Sequence, residues 1–219
     1  MTTMGKLITL EGPDTAGKTT LIDKLKTVLP TIYPNDTFLF TREPGNLLHC
    51  EFNQSETIRQ KLLTDSSLTA LEQAKLFAQA RYYHVIDIIK ELEKGNHVIT
   101  DRFLFSSIIY QGLDLGFKKI LELNKDALEL LKEKDIEINN IVLQISKETY
   151  EERIRGREKD AMEDVEEKKV LERITYHNIV RRINEDLDDK LGNIYTIDAN
   201  VEQPTVTINA LNHINKIIR

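Results

Sequence analysis

Residues Gly12-Pro13-Asp14-Thr15-Ala16-Gly17-Lys18-Thr19 follow the spacing G-x-x-x-x-G-K-S/T, the pattern of a loop that cradles phosphate. The glycines let the backbone curl so that successive N–H groups point at an anion. Lys18 brings a mobile positive charge to the outer phosphates, and Thr19 offers a hydroxyl to Mg²⁺. The flanks agree with this. Leu7-Ile8-Thr9-Leu10 is a short apolar run suited to a buried strand. From Thr20 to Lys26 apolar residues recur at helical spacing, so a helix N-terminus faces the anion.

Other residues belong to the same chemistry. Asp101 ends a β-branched apolar run, where an acid helps hold Mg²⁺ directly or through water. Arg102 beside it carries a planar fork suited to phosphate. Asp14 puts a carboxylate among phosphate-binding amides, which is costly unless it serves a purpose. Phe77 and Arg81 stand one helical turn apart and share a face. Ser107, Tyr110 and Gln111 fall on one side of a helix. In Glu152-Arg153-Ile154-Arg155-Gly156-Arg157 the arginines occupy every second position and cannot all face one way. Gly156 also weakens a helix, so a mobile lid is expected there, over about residues 150–164.

Elements must position these groups. Strands are expected at 5–11, 38–41, 97–100, 141–145 and 194–197. Helices are expected at about 18–29, 55–64, 69–94, 103–130, 147–157, 165–188 and 204–218. Short buried strands alternating with helices imply a parallel sheet covered on both faces. Ligands then bind beyond the carboxyl ends of the strands. The phosphate loop, Thr41-Arg42-Glu43-Pro44-Gly45 and Asp101-Arg102-Phe103 each follow a strand, so they converge on one rim. No linker or repeat divides the chain, and residues 1–219 are expected to form one domain.

Composition narrows the function. Of 219 residues, 40 % are hydrophobic and 30 % charged, as in ordinary globular proteins. A net charge of −6 argues against general nucleic-acid binding. The one cysteine, Cys50, permits no internal disulfide. No apolar run approaches the ~18 residues of a membrane span. The opening MTTMGKLITLEG lacks the regions of a signal peptide, so a cytoplasmic location without membrane partners is expected.

GPDTAGKTT, TREPG, LFAQAR, DRF followed by SSIIYQG, and ERIRGREKD, in that order, resemble the thymidylate kinase family. The likeness spans essentially the whole chain. REPG with SS-x-x-YQG is far more specific than the phosphate loop alone. The resemblance implies a three-layer P-loop NTPase fold of the α/β class, with a five-stranded parallel sheet flanked by helices. It implies transfer of the γ-phosphoryl of ATP to dTMP with Mg²⁺, and a homodimer. ATP would be held by Gly12, Pro13, Asp14, Thr15, Ala16, Gly17, Lys18, Thr19 and Thr20. Mg²⁺ would be held by Thr19 and Asp101. The acceptor would meet Asp14, Glu43, Arg59, Phe77, Arg81, Arg102, Ser107, Tyr110 and Gln111. Phe77 would stack on thymine and Arg81 donate to a base carbonyl, while Tyr110 would crowd out a 2′-hydroxyl. The expected catalytic residues are Lys18, Asp14, Arg102, Arg153 and Arg157. Thr15 stands where some members place an arginine, so the catalytic arginine is sought in the lid, with the choice among Arg153, Arg155 and Arg157 left open.

The chain departs from the family in places. Asn46-Leu47 replace a glycine and a small residue, the stretch 46–54 is longer than usual, and Ala161 stands where a lid arginine is common. The altered loop bears on acceptor range; the missing lid arginine leaves either Arg155 or Arg157 to compensate, or a lid that closes less effectively. The competing readings are a related deoxynucleoside or deoxynucleoside monophosphate kinase, and a nucleotide-binding regulatory ATPase.

Overall fold

Five strands, each with its hydrophobic side chains split between two faces, set the architecture. The computed structural model describes residues 3–45, 47, 54–154 and 191–219. The strands are β1 (Leu7–Glu11), β2 (Phe38–Arg42), β3 (His97–Asp101), β4 (Ile138–Gln144) and β5 (Asn193–Asp198). They pair in parallel in the order β2-β3-β1-β4-β5. Every residue of β1 is buried, as its central place requires.

Alternation along the strands builds two cores. Leu7, Val98 and Val142 face one, under helices α3 (Ala70–Glu93), α4 (Leu104–Tyr110), α6 (Phe117–Leu123) and α7 (Lys125–Glu133). Ile8, Leu10, Ile99, Ile141 and Leu143 face the other, under α1 (Lys18–Ile32) and the C-terminal α9 (Gln203–Ile218). The remaining helices are α2 (Gln54–Thr64), α5 (Gly112–Leu115) and α8 (Lys147–Ile154). The result is the expected three-layer α/β arrangement.

The chain leaves β1 toward β2 and β3 on one side and later adds β4 and β5 on the other. That reversal opens a crevice at the carboxyl end of β1. The phosphate loop emerges there.

Two differences from expectation are the largest. Strand β4 begins at Ile138 rather than Ile141. Asn139 and Asn140 are admitted because their side chains bond within the core: Asn139 Nδ2 donates to the Leu7 carbonyl at 3.2 Å, and Thr9 Oγ1 donates to Asn140 Oδ1 at 2.8 Å. The single helix expected over 103–130 is four short ones, α4 to α7. Gly116, at φ 82, turns the chain between α5 and α6. Asn124 turns it between α6 and α7, its side chain donating to the Ile120 carbonyl at 2.8 Å. The helix expected over 165–188 lies outside the described residues.

Candidate active site

At the end of β1 the backbone turns through Gly12, at φ 146. A Cβ there would sit 2.7 Å from the Leu143 carbonyl oxygen, so only glycine fits. Gly17, at φ 95, is the N-cap of α1, and the helix dipole points into the loop. Lys18 is buried and its Nζ donates to the Gly12 and Pro13 carbonyls at 2.9 Å each. Burial pushes its pKa down to about 8, the charge of Arg102 adds to that, and Asp101, Asp14 and Glu11 oppose it. Thr15 holds φ 65, an uncommon conformation for a β-branched residue. Its carbonyl accepts from Arg153 Nη1 at 3.1 Å, while Arg153 Nη2 donates to the Ala199 carbonyl at 2.8 Å. Arg153 thus ties α8 to the loop and to the end of β5. A cleft of about 360 Å³ between Thr15, Thr20, Arg153 and Gln203 opens beside the loop. A larger hollow of about 700 Å³ lies by Leu128, Ile138 and Gly192. It sits at the opposite end of the sheet, away from every motif.

Strand β3 delivers Asp101 and Arg102 beside the loop, with Leu10 of β1 in register with Asp101. Asp101 Oδ1 is buried with no hydrogen-bond partner among the described residues. Thr19 is exposed at the loop mouth. A hydroxyl and an orphaned carboxylate oxygen suit a hard cation that keeps waters and phosphate oxygens as its other ligands. Among the described residues, no cluster of three acidic, histidine or cysteine side chains offers an all-protein metal cage.

Arg102, at φ 67, donates its backbone N–H to the Leu10 carbonyl at 2.9 Å. Its guanidinium forms an ion pair with Asp14, donates to Ser106 Oγ at 3.1 Å, and lies 5.1 Å from the Tyr110 ring centroid. Arg102 and Asp14 remain partly exposed, so both face the crevice.

The other side of the site is an ionic core. Arg81 is 2 % exposed. Its Nε donates to Glu43 Oε2 at 2.7 Å, Nη1 to Asn124 Oδ1 at 2.5 Å, and Nη2 to Ser107 Oγ at 2.9 Å and the Phe103 carbonyl at 3.2 Å. His84, one turn further along α3, stands between Glu43 Oε1 at 3.3 Å and Thr41 Oγ1 at 3.0 Å. A carboxylate only accepts, so Nδ1 carries a proton toward Glu43. Phe77 and Tyr110 are half-buried, and Gln111 is buried with its Oε1 lacking a partner among the described residues. Arg59 Nη1 donates to the Pro44 carbonyl at 2.8 Å. Burial and the neighbouring Arg42 push the Arg59 pKa down.

The expected residues of β1, β2, β3, α1, α3 and α4 therefore gather on one rim, and Arg153 reaches the loop from α8. Arg155, Arg157, Ala161, Asn46 and residues 48–53 lie outside the described residues. Glu11, His84, Ser106 and Asn124 were not expected. Glu11 precedes Gly12 directly, and His84 sits at i+3 from Arg81; those were the available signals. Asn124 had none, because its partner is 43 positions away.

Comparison with known proteins agrees with this geometry. The Thymidylate kinase family model matches residues 10–207. A thymidylate kinase of Oenococcus oeni is 33 % identical over 221 residues, covering 98 % of this chain and 97 % of that one. One of Mycoplasma genitalium is 42 % identical over 127 residues, covering 57 % of this chain. That match spans 58 % of the relative's length. The crystal structure of thymidylate kinase from Ehrlichia chaffeensis has a TM-score of 0.65 at 23 % identity, covering 96 % of this chain and 99 % of that one, which establishes a shared fold. Motif order, sheet order and a family match over most of the chain lead to one assignment: this chain belongs to the thymidylate kinase family.

Proposed function

We propose that the chain transfers the γ-phosphoryl group of ATP to dTMP, giving ADP and dTDP. The observation that carries this reading is Arg102, a partly exposed arginine joined to the phosphate loop through Asp14 and to the acceptor side through Ser106 and Tyr110. One guanidinium there can hold an acceptor phosphate in line with the donor. A phosphate oxygen is already a competent nucleophile, so the protein's task is positioning and charge neutralisation.

The loop from Gly12 to Thr20 binds the ATP phosphates, with Lys18 as the charge on the transferred group. Asp14 and Glu43 border the acceptor, and Arg59 and Arg102 receive its phosphate. Phe77 stacks on thymine. Arg81, Ser107 and Gln111 form the polar floor for the base, and Tyr110 leaves no room for a 2′-hydroxyl. Thr19 and Asp101 would hold Mg²⁺, which when bound screens the charge between donor and acceptor oxygens. Arg153 and Arg157 are the lid arginines assigned to the transition state. The protein acts as a cytoplasmic homodimer of single-domain subunits, each with a lid over about residues 150–164. Among the described residues no helix is long and apolar enough to cross a membrane.

A coupled assay with ATP, Mg²⁺ and a panel of nucleosides and monophosphates tests the reading. ADP release is expected to be fastest with dTMP. Release with dTMP no faster than without acceptor would reject it.

A further inference from the structure

We infer that Glu11 and Ser106 are positioning residues that brace Arg102 against the phosphate loop, and through it orient the acceptor phosphate. The inference rests on the dTMP reading above. Glu11 ends β1 immediately before Gly12 and is fully buried. Its Oε1 accepts from the Phe103 amide at 2.7 Å and the Ser106 amide at 3.4 Å. Its Oε2 accepts from Ser106 Oγ at 2.7 Å. The hydroxyl in turn accepts from Arg102 Nη1 at 3.1 Å.

The direction of this chain is forced. An arginine only donates, a carboxylate only accepts, and a hydroxyl alone can do both. Arg102 to Ser106 to Glu11 is therefore a one-way relay. Glu11 also does for α4 what a local cap does for other helices. Phe103 is the N-cap of α4 and has no side chain able to bond the first amides; a carboxylate from β1 takes that place, where the helix dipole favours it. The residue between these anchors, Arg102, holds φ 67, a conformation that persists when neighbours hold it. Burial pushes the Glu11 pKa up, while Ser106, Arg102, the Phe103 amide and Lys18 favour its charged form.

The geometry makes the loop and the acceptor arginine one unit. The Gly12 carbonyl, next to Glu11, accepts from both Lys18 Nζ at 2.9 Å and Arg102 Nη1 at 3.4 Å. Cutting the relay at Ser106 leaves the Arg102 charge, its Asp14 ion pair and its Gly12 contact in place but removes the hydroxyl that fixes Nη1 on the acceptor side.

Steady-state kinetics on the full chain test this, with wild type, Ser106→Ala, Ser106→Thr and Glu11→Gln. Ser106→Ala is expected to raise the KM for dTMP about tenfold, as loss of a hydrogen bond to a charged group does. The KM for ATP should stay within about twofold, and Ser106→Thr, which keeps the hydroxyl, should recover dTMP affinity. Glu11→Gln is nearly isosteric and should lower kcat/KM for dTMP with an unchanged circular dichroism spectrum. The inference is overturned if Ser106→Ala leaves the dTMP KM unchanged, or raises both KM values equally. If Ser106→Ala does not fold, unchanged dTMP kinetics in Glu11→Gln overturn it. A wild-type protein inactive on dTMP would reject the acceptor assignment, and this inference with it.

Discussion

The proposed donor and acceptor sides of the crevice are built in opposite ways. The donor side is nearly all backbone. Between Gly12 and Thr19 the loop turns on positive φ values, and its one committed cation, Lys18, bonds carbonyls of the same loop. The acceptor side is nearly all side chain. Arg81 draws Glu43 from the end of β2, Ser107 from α4 and Asn124 from the α6–α7 junction into one buried network. A phosphate looks alike on every nucleotide, so a local nest of amides suffices. A base and a sugar must be told from their analogues, and buried polar groups achieve that because a wrong partner leaves them unpaired.

This contrast predicts different failures. The largest effect is expected at Arg81→Ala. Glu43 would remain buried without its cation, and breaking such a pair costs about 3–5 kcal/mol. Thermal unfolding should show a large drop in Tm, with dTMP binding lost alongside. An unchanged Tm would mean that the acceptor network carries no fold. Next is Lys18→Ala, which should cost about 10²-fold or more in kcat, as removal of a preorganised charge partner does, with little change in Tm. Near-normal turnover would sink its role. The smallest effect is a pH shift. Lys18 has a pKa of about 8, so its positive charge is present below that pH and lost above it. Bound phosphate favours the charged form, so it is kcat/KM for ATP, which reports the free protein, that should fall on the alkaline side. Because the charge of Arg102 helps depress that pKa, Arg102→Gln should move the alkaline limb to higher pH in whatever activity remains. A limb that stayed put would assign it to another group.

The same contrast separates what local spacing encodes from what the fold supplies. The phosphate loop was legible because all its determinants lie within a few residues. The sheet was legible because strand and helix periods alternate. The helix expected over 103–130 is instead four helices. Its apolar spacing continues through Gly116 and Asn124, where a glycine at φ 82 and an asparagine side chain bonded to the Ile120 carbonyl turn the chain. Sequence spacing starts strand β4 late because asparagines look unsuited to a core. They enter it by bonding Leu7 and Thr9 of the neighbouring strand.

The sequence by itself determined the alternation of elements, the nucleotide loop and the set of residue types on the rim, because each depends on short-range spacing. Only the tertiary structure decided who holds whom. Glu11 with Ser106, Arg102 with Asp14, and Arg81 with Asn124 are pairs 95, 88 and 43 positions apart. Their hydrogen bonds exist because the parallel sheet brings distant strand ends to one edge, and no local pattern encodes a partner that the fold alone supplies.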